Sequence, residues 1–420
     1  MRVSRLATGG DPQGAARRMR ESIPAPASVT AAVQAILERV RQDGDAAVAE
    51  LTTEHDAPGV KQRPLRVSEE ELAGAERQLA PEVRAGLEVA IEHVGRVAEA
   101  SVVPDRPVDF PDHQVILRQA PVHRAAVYVP GGRAPYPSTV VMGVVTAHAA
   151  GVRDVAVCSP PGPDGDIHPA VRAACRLTGA ATVYRMGGAQ AVAALAYGTE
   201  TVTPVDVVVG PGNLYVQEAK RQLSGEIGID MFAGPSDLLV IAAAGQDPEP
   251  IGLDLLAQAE HGPGTLVAAA SESPQLLDAL QATLEATPDT GAVAWLVELG
   301  HESEALEVIE AFAPEHLELL VPQAEQLADR VTRAGCVFVG AASATAFGDY
   351  IAGSNHTLPT NGSARFASAL STRHFRRGFT EVRVRDGSSL ARAAAPVARA
   401  EGFEQHARSM EIRIRENGTP

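Results

Sequence analysis

The chain has 420 residues, of which 45% are hydrophobic, 21% are charged and 4% are aromatic. This length suggests about two or three domains, and the composition is that of a chain that buries a core rather than of a disordered one. The net charge of −16 argues against nucleic-acid or anionic-membrane partners, because both require basic surface patches.

The three cysteines, Cys158, Cys175 and Cys336, form no C-x-x-C pair, so no disulfide framework is expected. We interpret them as buried small hydrophobic residues. The N-terminal residues show no apolar signal region, and no stretch approaches the roughly 18 consecutive apolar residues that a membrane span needs. We therefore expect a cytoplasmic protein without a membrane partner.

Residues 27–100 are predicted to be helical, with Ser28 as an N-cap and a capping box that begins at Ser68. From about residue 114 onward, short β-rich runs alternate with helical stretches. Each predicted strand of this part is followed by a turn rich in Gly and Pro. The predicted strands are 124–129, 154–158, 182–186 and 206–209, and the predicted helices are 191–197 and 214–223.

A second alternating set follows, with strands at 238–242, 266–270 and 336–339 and helices at 250–260 and 273–284. Strands that alternate with helices indicate βαβ units and parallel sheets. The expected fold class is therefore α/β, with two domains and a cleft between them. The last fifty residues are polar and Arg-rich, with helical spacing from Ser389 onward, and are predicted to be an extension without its own core.

The segment 313–316 carries an acid, Glu315, beside a base, His316. Pro314 suits the first position of a helix, which would place both side chains in the first helical turn. An acid and a base fixed side by side can divide the proton transfers of one reaction. The alternative is a Glu that favours the helix dipole and a His at the surface.

Gln258 and His261 lie three residues apart, so they share one face of a predicted helix as a metal pair requires. The alternative is a His that interacts with the dipole at the helix C-terminus. Asp349 and His356 follow the strand 336–339, and the carboxyl ends of parallel strands line ligand crevices. A turn-forming Asp and a solvent-facing His are an equally open interpretation.

Glu401 and His406 lie far along the C-terminal tail. They reach a cleft only if the tail folds back or crosses to a partner subunit. A His on a helical surface is the alternative.

The chain contains no complete G-x-G-x-x-G fingerprint, because Tyr215 occupies the third glycine position after Gly210 and Gly212. Gly131-Gly132 and Gly187-Gly188 could each let the backbone approach a phosphate. Ordinary strand-to-helix turns explain them equally well. Three such turns beside one predicted sheet favour a ligand of nucleotide size.

Together these segments resemble the histidinol dehydrogenase family, and the resemblance covers nearly the whole chain. It rests on eight motifs in a fixed order, which are 127–132, 187–191, 209–213, 233–236, 258–261, 313–319, 348–350 with 355–356, and 401–402 with His406.

The resemblance implies two incomplete Rossmann-like domains with parallel-rich sheets, and terminal segments that build an intertwined homodimer. The expected division is an N-terminal dimerisation segment at 1–20, a first α/β domain formed by 21–125 and 236–370 that carries the metal and catalytic residues, an NAD-binding second domain at 126–235, and a C-terminal dimerisation tail at 371–420.

The resemblance also implies site residues. Four match the family's zinc ligands, with the last donated by the other subunit: Gln258, His261, Asp349 and His406. Three match its NAD⁺ contacts: Tyr128, Gln190 and Asn213. The substrate contacts are these four metal ligands together with Ser236, His316, His356 and Glu401, and the catalytic pair is Glu315 and His316.

The implied activity is the oxidation of L-histidinol to L-histidine through an aldehyde, at the expense of two NAD⁺, in the last steps of histidine biosynthesis. His316 would act as general base, Glu315 would activate water, and one zinc ion per subunit would orient the substrate. Gly262 follows His261 where the family usually has Asp, so a relative that oxidises another diol, such as a sulfonated propanediol, is the alternative. A zinc hydrolase is a further one, but it would need no dinucleotide turns.

Overall fold

The computed structural model describes residues 1–23, 28–60, 63–131 and 134–414. Gly132, one of the glycines predicted to approach a phosphate, lies outside these ranges. Within them the strands are β1 (Val3–Ala7), β2 (Arg106–Asp109), β3 (His113–Pro121), β4 (Arg124–Tyr128), β5 (Asp154–Ser159), β6 (Thr182–Arg185), β7 (Val207–Val209), β8 (Gly228–Ile229), β9 (Asp237–Ala242), β10 (Leu266–Ser271), β11 (Val293–Glu298), β12 (His316–Leu320), β13 (Cys336–Val339) and β14 (Arg376–Val384).

The α-helices of the same ranges are α1 (Pro12–Glu21), α2 (Thr30–His55), α3 (Glu69–Gln78), α4 (Pro81–Ala100), α5 (Pro137–Ala149), α6 (Pro169–Thr178), α7 (Gly188–Tyr197), α8 (Leu214–Leu223), α9 (Pro248–Ala259), α10 (Pro274–Ala286), α11 (Glu304–Phe312), α12 (Ala324–Ala328), α13 (Thr345–Tyr350), α14 (Ser388–Ala400) and α15 (Glu404–Glu411). Short 3₁₀ turns occupy Ser363–Arg365 and Thr372–Phe375.

The chain divides into two compact units. The first unit comprises Met1–Ser101 and Val122–Phe375, and it contains two parallel sheets. One has six strands in the order β1-β11-β10-β9-β12-β13, and the other has five in the order β6-β5-β4-β7-β8. The predicted α/β class with parallel-rich sheets is therefore confirmed.

The six-stranded sheet is buried on both faces, as expected for parallel strands that are covered by helices. Leu238 and Val240 of β9 pack on one face with residues of α9 and α10. Leu239 and Ile241 pack on the other face with residues of α1 and α11. The N-terminal strand β1 pairs in parallel with β11 at the edge of this sheet.

The five-stranded sheet is also covered on both faces. Val127 of β4 packs in a cluster with residues of α3, α4, α5 and α6. Ala126 and Tyr128 face the opposite way and pack with residues of α2, α7 and α8. Helices α2, α3 and α4 lie within 21–125, which the predicted division assigns to the domain of the metal and catalytic residues. Buried residues of all three helices belong to these two clusters, and the division itself stays a prediction.

Local signals explain the best-predicted elements. The helix predicted at 214–223 and the strand predicted at 336–339 match α8 and β13. Ser68 forms the predicted capping box with Glu71 at the start of α3. Ser28 is not an N-cap, because α2 begins after Val29 without a side-chain cap.

The helix predicted to begin at Pro314 is wrong. Helix α11 ends at Phe312, Ala313 is left-handed with φ 49° and ψ 68°, and β12 begins at His316. All residues of β12 are buried, and the strand pairs in parallel with β9 on one side and β13 on the other. Tertiary pairing in the middle of a sheet therefore overrides the local helix signal of Pro314.

The second unit comprises Val102–Pro121 and the chain from Arg376 onward. Its sheet is antiparallel, in the order β14-β3-β2. Its helices α14 and α15 pack on each other around Ala395, Ala398 and Ala407. The tail is predicted to have no core of its own, whereas in the structure it has this small one. The dimerisation role predicted for 371–420 stays a prediction. Among the helices of the described residues, none is both long and apolar enough to span a membrane.

Candidate active site

Glu315 and His316 lie at the amino end of β12, which is an interior strand of the six-stranded sheet. Ser236 and Asp237 lie at the amino end of the neighbouring strand β9. The sequence predicts a ligand crevice at the carboxyl end of the strand 336–339. This is wrong for the six-stranded sheet, because its candidate residues gather at the amino ends of the strands.

The Glu315 carboxylate is buried and hydrogen-bonded on one oxygen. Its Oε2 accepts the Ser236 hydroxyl at 2.5 Å and the Asp237 backbone N–H at 2.8 Å. Burial raises the pKa of Glu315 to about 7; the positive charge of His316 opposes this, and the negative charge of Asp237 reinforces it. A carboxyl group with a pKa near neutrality can both take and release a proton at physiological pH.

His316 is only 2% exposed and contacts carboxylates on two sides. Its Nδ1 lies 3.4 Å from the Asp237 carbonyl oxygen, to which only an N–H can donate. Its Nε2 lies 3.4 Å from Oδ1 of Asp349, and its Nδ1 lies 3.9 Å from Oε2 of Glu315. With the proton on Nδ1, Nε2 is the nitrogen that can serve as a base.

Burial alone would lower the pKa of His316, because it disfavours the charged imidazolium. The contact with Asp349 and the negative charges of Glu315 and Asp349 outweigh burial. Together they raise the pKa of His316 to about 9.

Asp349 reaches this edge because α13 runs back from β13 toward the start of β12. Burial opposes its ionisation, but the contact with His316 and the positive charge of the His316 imidazolium outweigh burial and lower the pKa of Asp349. His356 donates from Nδ1 to the Asp349 carbonyl oxygen at 2.8 Å. Its Nε2 lies 3.3 Å from the hydroxyl of Thr139 at the start of α5.

Gln258 and His261 lie at the carboxyl end of α9, which returns from β9 to the same amino edge. The amide nitrogen of Gln258 donates to the Ser236 hydroxyl, so its amide oxygen is the atom that would face a cation. Burial lowers the pKa of His261, and Asp349 opposes that effect. A neutral imidazole and an ionised carboxylate are the forms that bind divalent metals.

Within 1–23, 28–60, 63–131 and 134–414, no group of three or more His, Cys, Asp or Glu side chains could hold a metal ion as placed. The amide of Gln258 is a donor of another type, and it lies in the same hydrogen-bonded cluster. The donor chemistry of Gln258, His261 and Asp349 therefore fits a divalent cation. A further donor has to complete the set.

The predicted cofactor residues lie at the carboxyl ends of the five-stranded sheet, where α/β proteins bind nucleotides. Tyr128 ends β4, and its hydroxyl accepts the Gly188 N–H at 3.1 Å at the start of α7. Gln190 is buried in the first turn of α7 and donates to Asp56 at 3.3 Å. Asn213 caps α8 by accepting the N–H groups of the second and third helical residues.

Gly210 shows why this edge is built from glycine. Its φ is +111°, and a Cβ there would lie 2.2 Å from the Tyr128 carbonyl oxygen. The buried pair of Lys220 and Asp230 fixes the turn, because Asp230 accepts the Gly210 N–H and Lys220 donates to the Gly210 carbonyl. The turns predicted at 187–188 and 210–213 therefore lie side by side around Tyr128.

His356 connects the two groups of residues. It bridges Asp349 at the six-stranded sheet to Thr139 at the carboxyl edge of the five-stranded sheet. The amino edge of one sheet thus meets the carboxyl edge of the other, and proton-transfer groups lie close to nucleotide-type turns.

Glu401 and His406 belong to the second unit. Glu401 follows α14, and His406 is an exposed residue of α15 whose ring lies 5.1 Å from the ring of Phe403. Their contributions to a metal or substrate site stay predictions.

Sequence reasoning missed four residues that shape this region: Arg20, Asp56, Thr139 and Asp237. Asp237 had a signal, because a carboxylate opens an otherwise apolar strand directly after Ser236. Arg20, Asp56 and Thr139 had none, because their roles depend on partners that are distant in the sequence.

The two parallel sheets and the buried Glu315–His316 pair are typical of an α/β enzyme that transfers protons beside a nucleotide-type site. The chain matches the histidinol dehydrogenase family over residues 19–414. It is 42% identical to a histidinol dehydrogenase of Synechococcus sp. over 91% of this chain and 92% of that protein. It is 39% identical to a histidinol dehydrogenase of Gluconobacter oxydans over 93% of this chain and 94% of that protein.

A crystal structure of histidinol dehydrogenase from Elizabethkingia anophelis aligns with a TM-score of 0.91 and 28% identity, over 98% of both chains. The match extends over the whole length and involves both sequence and fold. The chain therefore belongs to the histidinol dehydrogenase family, as its motifs indicate.

Proposed function

We propose that the protein oxidises L-histidinol to L-histidine through histidinaldehyde with two NAD⁺, in the last steps of histidine biosynthesis. The observation that carries this proposal is the buried Glu315–His316 pair beside Ser236, Asp237 and Asp349. Burial raises the pKa of Glu315, and the neighbouring carboxylates raise the pKa of His316 against the effect of burial. Family membership supplies the substrate, and the site supplies the acid–base groups that two successive oxidations require.

In the first oxidation, His316 acts in its neutral form, which a cation on Asp349 would favour by offsetting the anion that raises the pKa of His316. It takes the hydroxyl proton of the alcohol on Nε2, since Nδ1 is directed to the Asp237 carbonyl. Glu315 and Asp349 stabilise the imidazolium that forms, because both carboxylates lie within 4 Å of the ring nitrogens. When bound, NAD⁺ accepts the hydride from the alcohol carbon.

In the second oxidation, Glu315 takes a proton from water, and the resulting oxygen adds to the aldehyde carbon. Its carboxylate is held by Ser236 and by the Asp237 N–H, so one oxygen is fixed and the other can meet water. The tetrahedral alkoxide that forms then gives up a second hydride, which the second NAD⁺ would accept, and becomes the carboxylic acid. We infer no covalent thiol intermediate, because burial raises the pKa of Cys158, Cys175 and Cys336 and disfavours their thiolates.

We propose that Gln258, His261 and Asp349 hold one zinc ion per subunit, completed by His406 of the partner subunit. Zinc there would hold and orient the imidazole and amine of the substrate. Tyr128, Gln190 and Asn213 would contact NAD⁺. Ser236, His356 and Glu401 would contact the substrate together with His316 and the four metal ligands.

We propose a homodimer that is built largely by the second unit. Its antiparallel sheet exposes four large apolar side chains on one face, at Val108, Leu117, Val382 and Val384, and such a patch favours burial against another protein surface. A second copy of this chain would cover that surface and bring His406 to the partner's site.

The test is a product assay with zinc-loaded protein. We expect NADH formation from L-histidinol at two equivalents per histidine, with histidine identified by mass spectrometry. A sulfonated propanediol in a parallel reaction examines the diol alternative, and faster turnover of that diol would overturn the histidinol assignment. Absence of NAD⁺ reduction with both alcohols would contradict a dehydrogenase and leave the zinc hydrolase as the alternative.

A further inference from the structure

Arg20 of the N-terminal helix α1 reaches the turn that carries Glu315. Its guanidinium donates to the Phe312 carbonyl at 2.8 and 3.1 Å and to the Ala313 carbonyl at 3.2 Å. It also lies over the Phe312 ring, with Cζ 3.7 Å from the ring centroid. One side chain therefore holds the last carbonyl groups of α11 just before the catalytic pair.

The same guanidinium binds the carboxylate of Asp237. Nη1 donates to Oδ2 at 2.6 Å and Nη2 to Oδ1 at 3.2 Å, which is the fork-shaped geometry of a strong Arg–carboxylate pair. The side chain of Asp237 is completely buried and that of Arg20 is 15% exposed. A buried carboxylate is stable as an anion only when it is paired and hydrogen-bonded.

Asp237 and Glu315 exchange hydrogen bonds between backbone and side chain. The Asp237 N–H donates to the Glu315 carboxylate, and the Glu315 N–H donates to the Asp237 carboxylate, both at 2.8 Å. The Asp237 carboxylate also accepts the N–H of Asn361 at 3.2 Å. The position of the Glu315 carboxylate thus depends on the placement of Asp237.

The turn between α11 and β12 needs such support. Ala313 is left-handed at φ 49°, a conformation that is costly for a residue with a Cβ and that persists only where surrounding contacts hold it. Arg20 donates hydrogen bonds to the carbonyl groups of Phe312 and Ala313. The Asp237 carboxylate accepts the Glu315 N–H on the other side of the turn.

We propose that Arg20 is a positioning residue, which acts through Asp237 and the Ala313 turn to hold the Glu315 carboxylate where it activates water. The inference rests on the proposed role of Glu315 in aldehyde oxidation. It gives the N-terminal helix a part in the chemistry of this subunit's own site. A merely structural Arg20 would anchor α1 on the sheet and would affect both oxidation steps and folding alike.

A double-mutant cycle separates these roles. The variants are Arg20→Met, Arg20→Lys, Glu315→Gln and Arg20→Met with Glu315→Gln, in zinc-loaded, full-length protein. The rates of histidinaldehyde oxidation and of histidinol oxidation are measured separately in single turnovers, and melting temperature and zinc content report on folding. Arg18→Met, an exposed position on the same helix, is the matched control.

We expect Arg20→Met to slow aldehyde oxidation by about tenfold or more, to slow alcohol oxidation less and to leave zinc content unchanged. In the Glu315→Gln background the same substitution should not slow aldehyde oxidation further, because the effects of substituting residues that act as one unit do not add. The rate of aldehyde oxidation by Arg20→Lys should lie between those of Arg20→Met and the unsubstituted protein, since an ammonium group keeps the charge but lacks the planar fork of the guanidinium. Arg18→Met should match the unsubstituted protein.

Full additivity in the double variant, or an unchanged aldehyde step in a folded Arg20→Met protein, would overturn the inference alone. An unchanged aldehyde step in Glu315→Gln would show that the proposed role of Glu315 is wrong, and the inference would fall with it. If Arg20→Met does not fold, Arg20→Lys takes its place in the cycle with the same criteria.

Discussion

Nε2 of His316 lies 3.4 Å from Oδ1 of Asp349, so the proposed base contacts a proposed metal ligand. The Asp349 anion stabilises the imidazolium, and a cation bound to Asp349 would offset that anion. The contact therefore links metal binding to the protonation of the base, because both act on one carboxylate.

The first prediction concerns this link. Burial lowers the pKa of His316, but the contact with Asp349 and the nearby negative charges raise it to about 9. We expect this pKa to be lower in zinc-loaded protein than after chelation. The fall should be about 1 to 3, as for loss of a nearby opposite charge. NMR titration of labelled histidines measures it, with His316→Gln to assign the resonance. In chelated Asp349→Asn the pKa should already be low; equal values in loaded and chelated protein would contradict the link.

The second prediction concerns His261. We expect His261→Asn to lower zinc content at least about tenfold at a fixed free zinc concentration, since losing a direct ligand should cost more than losing an outer-shell partner. Elemental analysis after dialysis measures the bound metal. His301→Asn is the control, because His301 is exposed on a surface loop. Full zinc content in His261→Asn would remove it from the ligand set.

The third prediction concerns His406 and the proposed dimer. His261→Asn and His406→Asn should each abolish histidinol oxidation alone. A mixed dimer, isolated with two different tags, should regain activity, because one of its two sites then has both histidines. The expected rate is about half that of the unsubstituted dimer. An inactive mixed dimer would mean that His406 acts in its own subunit, and an active His406→Asn protein would mean that His406 does not act at all.

The fourth prediction concerns Glu315. We expect Glu315→Gln to slow histidinaldehyde oxidation by about 10² or more, the usual contribution of a general base, while alcohol oxidation falls less. Single-turnover absorbance with each substrate resolves the two steps. Glu325→Gln, at an exposed residue of α12, is the control. Equal losses in both steps would contradict a role confined to water activation.

The fifth prediction concerns stability and a second buried acid. Glu318 of β12 is 2% exposed, and burial together with the charge of Asp254 raises its pKa to about 8. Between about pH 4.5 and 8 the unfolded chain therefore releases a proton that the folded chain keeps, so stability falls as the pH rises through this window. Below this pH window Glu318 is protonated in both the folded and the unfolded chain, so it adds no pH dependence to stability.

Glu318→Gln should remove the loss of stability that Glu318 causes as the pH rises, because the amide resembles the protonated acid and does not ionise. We expect its melting temperature, relative to the unsubstituted protein, to rise between pH 5 and pH 9 by on the order of 2 °C. Calorimetry at both pH values measures the difference. A difference that stays constant or shrinks with rising pH would show that Glu318 is ionised in the folded state.

Much of the first unit was predictable because its strands are short apolar runs that end at Gly and Pro. Such runs are typical of parallel strands that are buried on both faces, and β4, β5, β6, β9, β10 and β13 follow this pattern. The strand β12 was missed although it begins at His316 of the proposed catalytic pair. Pro314 gave a local helix signal there, and only the pairing with β9 and β13 decides against it.

The candidate site was predictable where a family motif names its residues, and Glu315, His316, Asp349 and Gln258 are brought into one cluster. Arg20 could not be predicted, because it lies 217 positions from Asp237 and no local pattern connects them. The edge of the sheet at which the site forms was also beyond prediction, since it depends on where α9 and α13 end in space.

The sequence alone determined the alternation of strands and helices, the fold class and the identity of the chemical groups, because apolar period, turn residues and motif order are local properties. Only the tertiary structure decided which groups meet, which of them are buried and how their pKa values shift. Those outcomes depend on contacts between distant residues and on exclusion of water, which no window of the sequence contains.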